Sequence, residues 1–112
     1  MTSTDSGRQV ELRDAVANNG TRTHLWAWVD EDGLHVDGQD LGLPSGMMGS
    51  DSEYEYFHTV HAADVPQLIA LLGGQPNDGV LDLLFRNWSG SRSYDLERII
   101  RDAPFKTSFF SC

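Results

Sequence analysis

Two short runs of alternating apolar and polar residues, joined by a turn that ends in glycine, constrain the fold of this chain more than any other feature. The runs are THLWAWVD and LHVDGQDL, and DEDG connects them. Because successive side chains of a strand point to opposite faces, the pattern predicts a β-hairpin in which Val29 lies opposite Leu34. One face then carries Leu25, Ala27, Val29, Leu34 and Val36. The other face carries His24, Trp26, Trp28, His35 and Asp37.

A third strand is predicted at EYEYFHTVHA, residues 53–62. Glu53 and Glu55 need water around their charges, so we expect the even-numbered positions to point inward. The inward set is Tyr54, Tyr56, His58 and Val60, and Phe57 and Thr59 join the two acids outside. Before this strand, LGLPSGMMGSDS (residues 41–52) is rich in glycine and serine and predicts a long loop.

Three later segments have apolar residues at helical spacing. The first helix is predicted to begin after Asp64, which pairs with Gln67 as a capping box, and to carry Pro66 in its first turn. The second is predicted to begin at residue 77 or 78, and the third near residue 93. The predicted buried stripes are Val65, Leu68, Ile69 and Leu72, then Leu81, Leu84, Phe85 and Trp88, then Leu96, Ile99, Ile100 and Ala103.

The order of these elements predicts an α+β fold. The final segment, FKTSFFSC, alternates like a strand and is expected to return to the sheet. Strands grouped before helices indicate a mostly antiparallel sheet, made of the hairpin, the third strand and the C-terminal strand, with about three short helices on one face. We expect residues 1–112 to form a single domain, with residues 1–20 partly disordered.

The acidic residues are concentrated in one part of the chain. Between Thr23 and Phe85 there are eleven Asp and Glu and no Lys or Arg, and the net charge of the whole chain is −9. Such a balance argues against binding nucleic acid, whose affinity comes from cations that neutralise phosphates. We expect this segment to fold into a coherent negative face that attracts a basic partner.

The apolar runs are all much shorter than the roughly 20 residues that span a bilayer. The N-terminal residues also lack the apolar core of a secretion signal. We therefore expect a cytoplasmic protein that does not bind membranes.

Motifs for catalysis or for a cofactor are missing from the sequence. His58 and His61 are three residues apart on a predicted strand, so they point to opposite faces and do not chelate one metal together. The loop GLPSGMMG lacks the Lys and Ser/Thr of a phosphate-binding loop. An alternative stays open, in which His24 and His35 with Asp37 form a small enzymatic or metal site across the hairpin.

A surface patch remains as the candidate site. Trp26 and Trp28 share the hairpin face that points away from the predicted core. Acids surround them in the sequence: Asp30, Glu31, Asp32, Asp37, Glu53 and Glu55. Tryptophan anchors within an acidic rim are typical of a surface that recognises a basic protein. The alternative is a sheet covered on both faces, by the N-terminal segment or by a second copy, in which these tryptophans belong to a core.

The segments EYEYFHTVHAADVPQLIALLGG, VLDLLF and PFKTSFFS resemble a family of small, acidic, uncharacterised actinobacterial proteins. The resemblance implies a bacterial cytosolic α+β domain. It brings no catalytic residues with it, because the family has no established activity. The third predicted helix, which ends at Asp102-Ala103-Pro104, is shorter than the family pattern.

Together these features predict a non-enzymatic, acidic protein-binding module without a cofactor. Its most concrete form is an immunity protein or antitoxin that neutralises a basic toxin such as a nuclease. A nuclease active site attracts phosphates, so an inhibitor that covers it needs carboxylates. The alternatives are a small enzyme or metal-binding protein that uses the strand histidines with Asp, and a homodimeric regulatory protein whose interface is the tryptophan face.

Overall fold

The computed structural model of the chain describes residues 8–16, 20–42, 53–105 and 107–111. Five antiparallel strands form one sheet in which each strand lies beside its neighbour in sequence. The strands are β1 (Gln9–Val16), β2 (Arg22–Asp30), β3 (Gly33–Leu41), β4 (Glu53–His61) and β5 (Thr107–Ser111). The helices are α1 (Val65–Leu71), preceded by a 3-10 turn at Ala62–Asp64, α2 (Val80–Asn87) and α3 (Arg92–Arg101). The predicted α+β fold is confirmed.

The hairpin of β2 and β3 has the predicted register, with Val29 opposite Leu34. Its apolar face is the core side, where four of the five predicted side chains are fully buried and Val29 is partly buried. The C-terminal strand returns to the sheet as predicted and pairs with β4. The predicted loop at 41–52 lies outside the described residues from position 43 onward.

The faces of β4 are largely as predicted. Tyr56, His58 and Val60 point inward and are buried. Tyr54 points to the same side, as predicted, but its side chain is 41% exposed. It pairs with Asp40 near the end of β3.

The buried faces of the helices follow the predicted stripes with one correction. In α2, Leu83 is buried while Phe85 is 55% exposed. Both residues flank the stripe of Leu81, Leu84 and Trp88, one on each side, and the sequence does not show which flank meets the core. Leu83 lies against the backbone of the preceding turn, where a Cβ added at Gly74 would be 2.8 Å from its Cδ2.

The helix starts also differ from the prediction. Asp64 is the N-cap of α1 and Pro66 lies in its first turn, but no side-chain capping bond forms, so the capping box was wrong. Asp64 ends a 3-10 turn and is itself in the helical region of φ and ψ, where its carboxylate does not reach the N3 amide. The N-cap of α2 is Gly79, and Asp78 instead accepts a 2.7 Å bond from the Gln75 amide.

β1 is the element about which the sequence was least informative. Residues 9–16 form an ordered edge strand, while 1–7 and 17–19 lie outside the described residues. A bulge between Glu11 and Arg13 shifts its register, so that Leu12 and Arg13 are both buried. None of the helices in the described residues is long and apolar enough to cross a membrane.

Candidate functional site

The candidate site lies on the sheet face opposite the three helices, which we term the open face. Trp26 and Trp28 are both half-buried there, as predicted from their spacing. Across the sheet, Trp26 pairs with Asp37 and Trp28 pairs with His35. β4 continues this face with Phe57 and Thr59 beside the same two β3 residues. Among the described residues, no further element covers it.

A row of contacts fixes the orientation of Trp28. Its indole Nε1 donates a 2.6 Å hydrogen bond to Asp37 Oδ2, and its ring stacks on His35 with centroids 4.1 Å apart. The His35 ring is in turn held by Asp30, 2.8 Å from Nε2, and by Thr59 Oγ1, 3.2 Å from Nδ1. We term Asp30, His35, Trp28 and Asp37 the Trp28 row. Because each of these side chains contacts the next, the two rings form an aromatic surface that is ordered before any partner binds.

Asp30 stabilises the hairpin turn and also contacts His35 on the open face. Its Oδ1 accepts bonds from the amides of Asp32 and Gly33 as well as contacting His35. The hydrogen bond with His35, together with those two amides, lowers the pKa of Asp30 despite the desolvation that opposes it. Glu31 and Asp32 are exposed at the tip of the hairpin.

Asp37 is the predicted acid with the most unusual environment. It is only 8% exposed although it lies on the open face. Burial raises its pKa, and the hydrogen bond from Trp28 and the charges of His35 and His58 only partly offset that effect. The structure therefore holds a carboxylate among aromatic rings where its charged form is disfavoured.

The remaining predicted acids lie at the margin of the open face. Glu55 is half-buried and lies 3.4 Å from the Gln39 amide nitrogen. Glu53 begins β4, and its side chain is outside the described part of the chain. The structure adds one acid that sequence reasoning missed, Glu11, which pairs with Trp26 across the β1–β2 ladder and contacts His24 at 3.1 Å.

The acidic segment does not form one continuous face in the described part of the structure. Asp30, Glu31 and Asp32 gather at the hairpin tip, and Asp37 and Glu55 lie on the open face. Other acids of the segment belong to the helical layer or point to its side of the sheet, namely Asp40, Asp64, Asp78 and Asp82. The negative charge near the tryptophans thus comes from a subset of the segment, together with Glu11.

The histidines do not assemble into a shared site. His24 contacts Glu11, whereas His35 contacts Asp30 at the other end of the hairpin. His58 points into the core and His61 is exposed, as expected for two positions on opposite faces of a strand. Within the described ranges, no group of three or more His, Cys, Asp or Glu side chains is arranged to hold a metal ion.

A second polar cluster, which sequence reasoning missed entirely, lies between the sheet and α3. The guanidinium of Arg13 donates to Glu97 Oε2 at 2.8 Å, to Ser93 Oγ at 2.9 Å and to the Tyr56 hydroxyl at 3.2 Å. His58 Nε2 lies 3.6 Å from the other Glu97 oxygen. These side chains are largely buried, so the cluster fastens α3 to β1 and β4 and offers no open surface to a ligand.

Acid should weaken this cluster. Burial acts to raise the pKa of Glu97, but its contacts with His58 and Arg13 outweigh burial and hold the pKa below the usual 4.5. Since the folded-state pKa is the lower one, the carboxylate stabilises the fold above pH 4.5, and this contribution is lost as the pH falls through the folded-state pKa. We expect the free energy of unfolding, measured with urea, to fall less steeply below that pH in Glu97→Gln than in the native chain.

Asp95→Asn is the matched control, because Asp95 makes an exposed ion pair with Arg98 on the same helix. Its pH dependence should follow that of the native chain. Parallel curves for Glu97→Gln and the native chain would contradict the assignment.

Comparison of the chain with protein-family models, with curated proteins and with solved structures finds no match. The geometry of the open face is therefore the basis on which a function can be inferred.

Proposed function

We propose that this protein is a non-enzymatic binding module of the cytoplasm, and that its open face binds a basic protein. The observation that carries the proposal is the pre-ordered row of Trp28, His35 and Asp37 on a sheet face that no described element covers. Rigid aromatic side chains lose little conformational entropy when a partner covers them, and tryptophan is among the residues that contribute most to protein interfaces.

Charge specifies the kind of partner. The chain has a net charge of −9. Glu11 and Asp37 pair with Trp26, Asp30 follows Trp28 on the same face of β2, and Glu55 lies on the open face of β4. A basic protein would be attracted over long range and then contact the aromatic surface. The most concrete partner is a basic toxin such as a nuclease, which would make this protein its immunity protein or antitoxin.

The test is inhibition of a basic toxin-like protein encoded beside the gene for this chain. We expect the purified chain to bind that protein and block its nuclease activity at a stoichiometric ratio. The affinity should fall as the salt concentration rises from about 0.05 M to about 0.5 M, because ions screen exposed charges. Absence of both binding and inhibition at the lowest salt concentration would contradict the proposal.

Trp26→Ala tests whether the partner binds at the open face or elsewhere on the protein. Loss of a central tryptophan anchor typically costs about 2–4 kcal/mol of binding free energy, so we expect the Kd to rise by about 30-fold to 1000-fold. Phe85→Ala is the matched control, because Phe85 is an exposed aromatic residue on α2, in the opposite layer. Titration calorimetry should give similar affinities for the control and the native chain.

Self-association through the same face is the competing outcome. Two copies that each carry −9 repel one another, which disfavours it. If the face were a homodimer interface, Trp28→Asp would elute from a size-exclusion column at a larger volume than the native chain. An unchanged elution volume removes the homodimer.

A further inference from the structure

Asp37 occupies a position that the fold alone does not explain. On the open face it lies between Trp26 of β2 and Phe57 of β4, and it is 8% exposed. Among the described residues, its carboxylate accepts a 2.6 Å hydrogen bond from the Trp28 indole, a neutral donor, and the charges of His35 and His58 offset its desolvation only in part. A desolvated carboxylate costs free energy unless a cation compensates its charge.

The raised pKa of Asp37 indicates how its burial affects the stability of the fold. Because burial raises the pKa of Asp37 above its usual value, the charged form is less stable in the native state than in the unfolded chain. The carboxylate therefore weakens the fold at neutral pH, and protonation would relieve that effect. A desolvated carboxylate that opposes folding and lies on the open face, outside the hydrophobic core, is typical of a functional group.

We infer that Asp37 and Trp26 together receive one guanidinium group, an arginine side chain of the basic partner. The inference rests on the proposed function and names the contact that anchors the partner. A guanidinium is planar, so it can lie over the Trp26 indole while its N–H groups donate to Asp37. The compact ammonium of lysine is not planar, so it does not combine stacking on the indole with a directed hydrogen bond to the carboxylate.

The geometry around the pair suits this role. Trp26 lies directly across the ladder from Asp37. The Trp26 ring is tilted by 42° from its neighbour His24, with centroids 4.9 Å apart, so the two rings are not stacked face to face. Asp37 is held by Trp28, whose ring is stacked on His35, so the carboxylate is oriented before any ligand arrives. Such pre-ordering lowers the entropy that binding must overcome.

The test compares two short peptides of equal length and charge, oligo-arginine and oligo-lysine, by calorimetry with the full chain. We expect oligo-arginine to bind at least about tenfold more tightly. Asp37→Asn keeps an acceptor for Trp28 but removes the charge, and it should weaken oligo-arginine binding by about tenfold or more. The same variant should melt at the same or a higher temperature than the native chain. Asp102→Asn, with an equal change of charge at an exposed position beyond α3, is the control and should change affinity less than about twofold.

The outcomes separate this inference from the proposed function. Equal weakening by Asp37→Asn and Asp102→Asn, or equal affinity for the two peptides, would show that only overall charge matters, and the guanidinium receptor would be wrong while an acidic binding module stands. A lower melting temperature in Asp37→Asn would assign Asp37 a structural role and also overturn the receptor. If neither peptide nor the neighbouring basic protein binds at low salt, the proposed function fails as well.

Discussion

Replacement of Arg13 by methionine is expected to lower the free energy of unfolding by about 3–5 kcal/mol. The Arg13 side chain is 3% exposed and bonds to Glu97, Ser93 and Tyr56 at once. Methionine fills much of the volume but leaves the Glu97 carboxylate in the interior without its cation. Urea denaturation at neutral pH measures the loss.

Three further variants identify the cause of this loss. Arg22→Met removes the arginine of an ion pair with Asp14 in which the Arg22 side chain is 55% exposed, and it should cost far less because water screens that pair. The double variant Arg13→Met with Glu97→Leu removes both buried charges and should recover much of the stability lost by Arg13→Met alone. If Arg13→Met does not fold, Arg13→Lys keeps a charge and should show an intermediate loss. Equal losses for Arg13→Met and Arg22→Met would contradict the buried network.

Gly33→Ala should be the other severe change, with a loss of about 3 kcal/mol or more. Gly33 opens β3 with a φ of +139°, a conformation that side chains rarely adopt. A methyl group there would lie 2.1 Å from the Val60 carbonyl oxygen and 2.7 Å from the Ala62 amide nitrogen. Both contacts are with backbone, so the β3–β4 ladder would have to shift. Thermal unfolding should show a drop of about 15 °C.

Gly73→Ala is the matched control for that experiment. Gly73 also has a positive φ, of +83°, but an added Cβ would meet no atom within 4 Å. The control should lose about 1 kcal/mol, the cost of the backbone conformation alone. A similar loss in the two variants would mean that the close approach of β4 to Gly33 does not matter. Since Gly33 adjoins the turn in which Asp30 holds His35, Gly33→Ala should also disturb the Trp28 row.

The hairpin was predictable because its information is local. Alternation with a period of two assigns each side chain to a face, and the four-residue turn leaves one register that keeps the apolar residues together. Val29 opposite Leu34 is that register. The shared face of Trp26 and Trp28 follows from the same alternation, so the residues of a single strand are enough to predict this half of the candidate site.

The predictions that were wrong concern residues whose environment is set by a neighbouring element. Phe85 was expected in the core and Leu83 was not, because a helical stripe marks the centre of a buried face but not which flank contacts the neighbours. The Asp64 capping box has the right residues at the right spacing, yet the preceding 3-10 turn places the backbone of Asp64 in a helical conformation. In both cases a neighbouring element decides the outcome.

By itself, the amino-acid sequence determined the order of the elements from β2 onward, the two faces of each central strand and the position of the tryptophans away from the core. These features depend on the spacing of apolar and polar residues within one strand or helix, which can be read from the sequence directly. Only the tertiary structure decided that a bulge brings Arg13 to Glu97, eighty-four positions away, that Asp37 is buried between aromatic neighbours, and that the acidic segment divides between two layers. Such contacts depend on the register and packing of elements far apart in sequence, and no local pattern of residues specifies them.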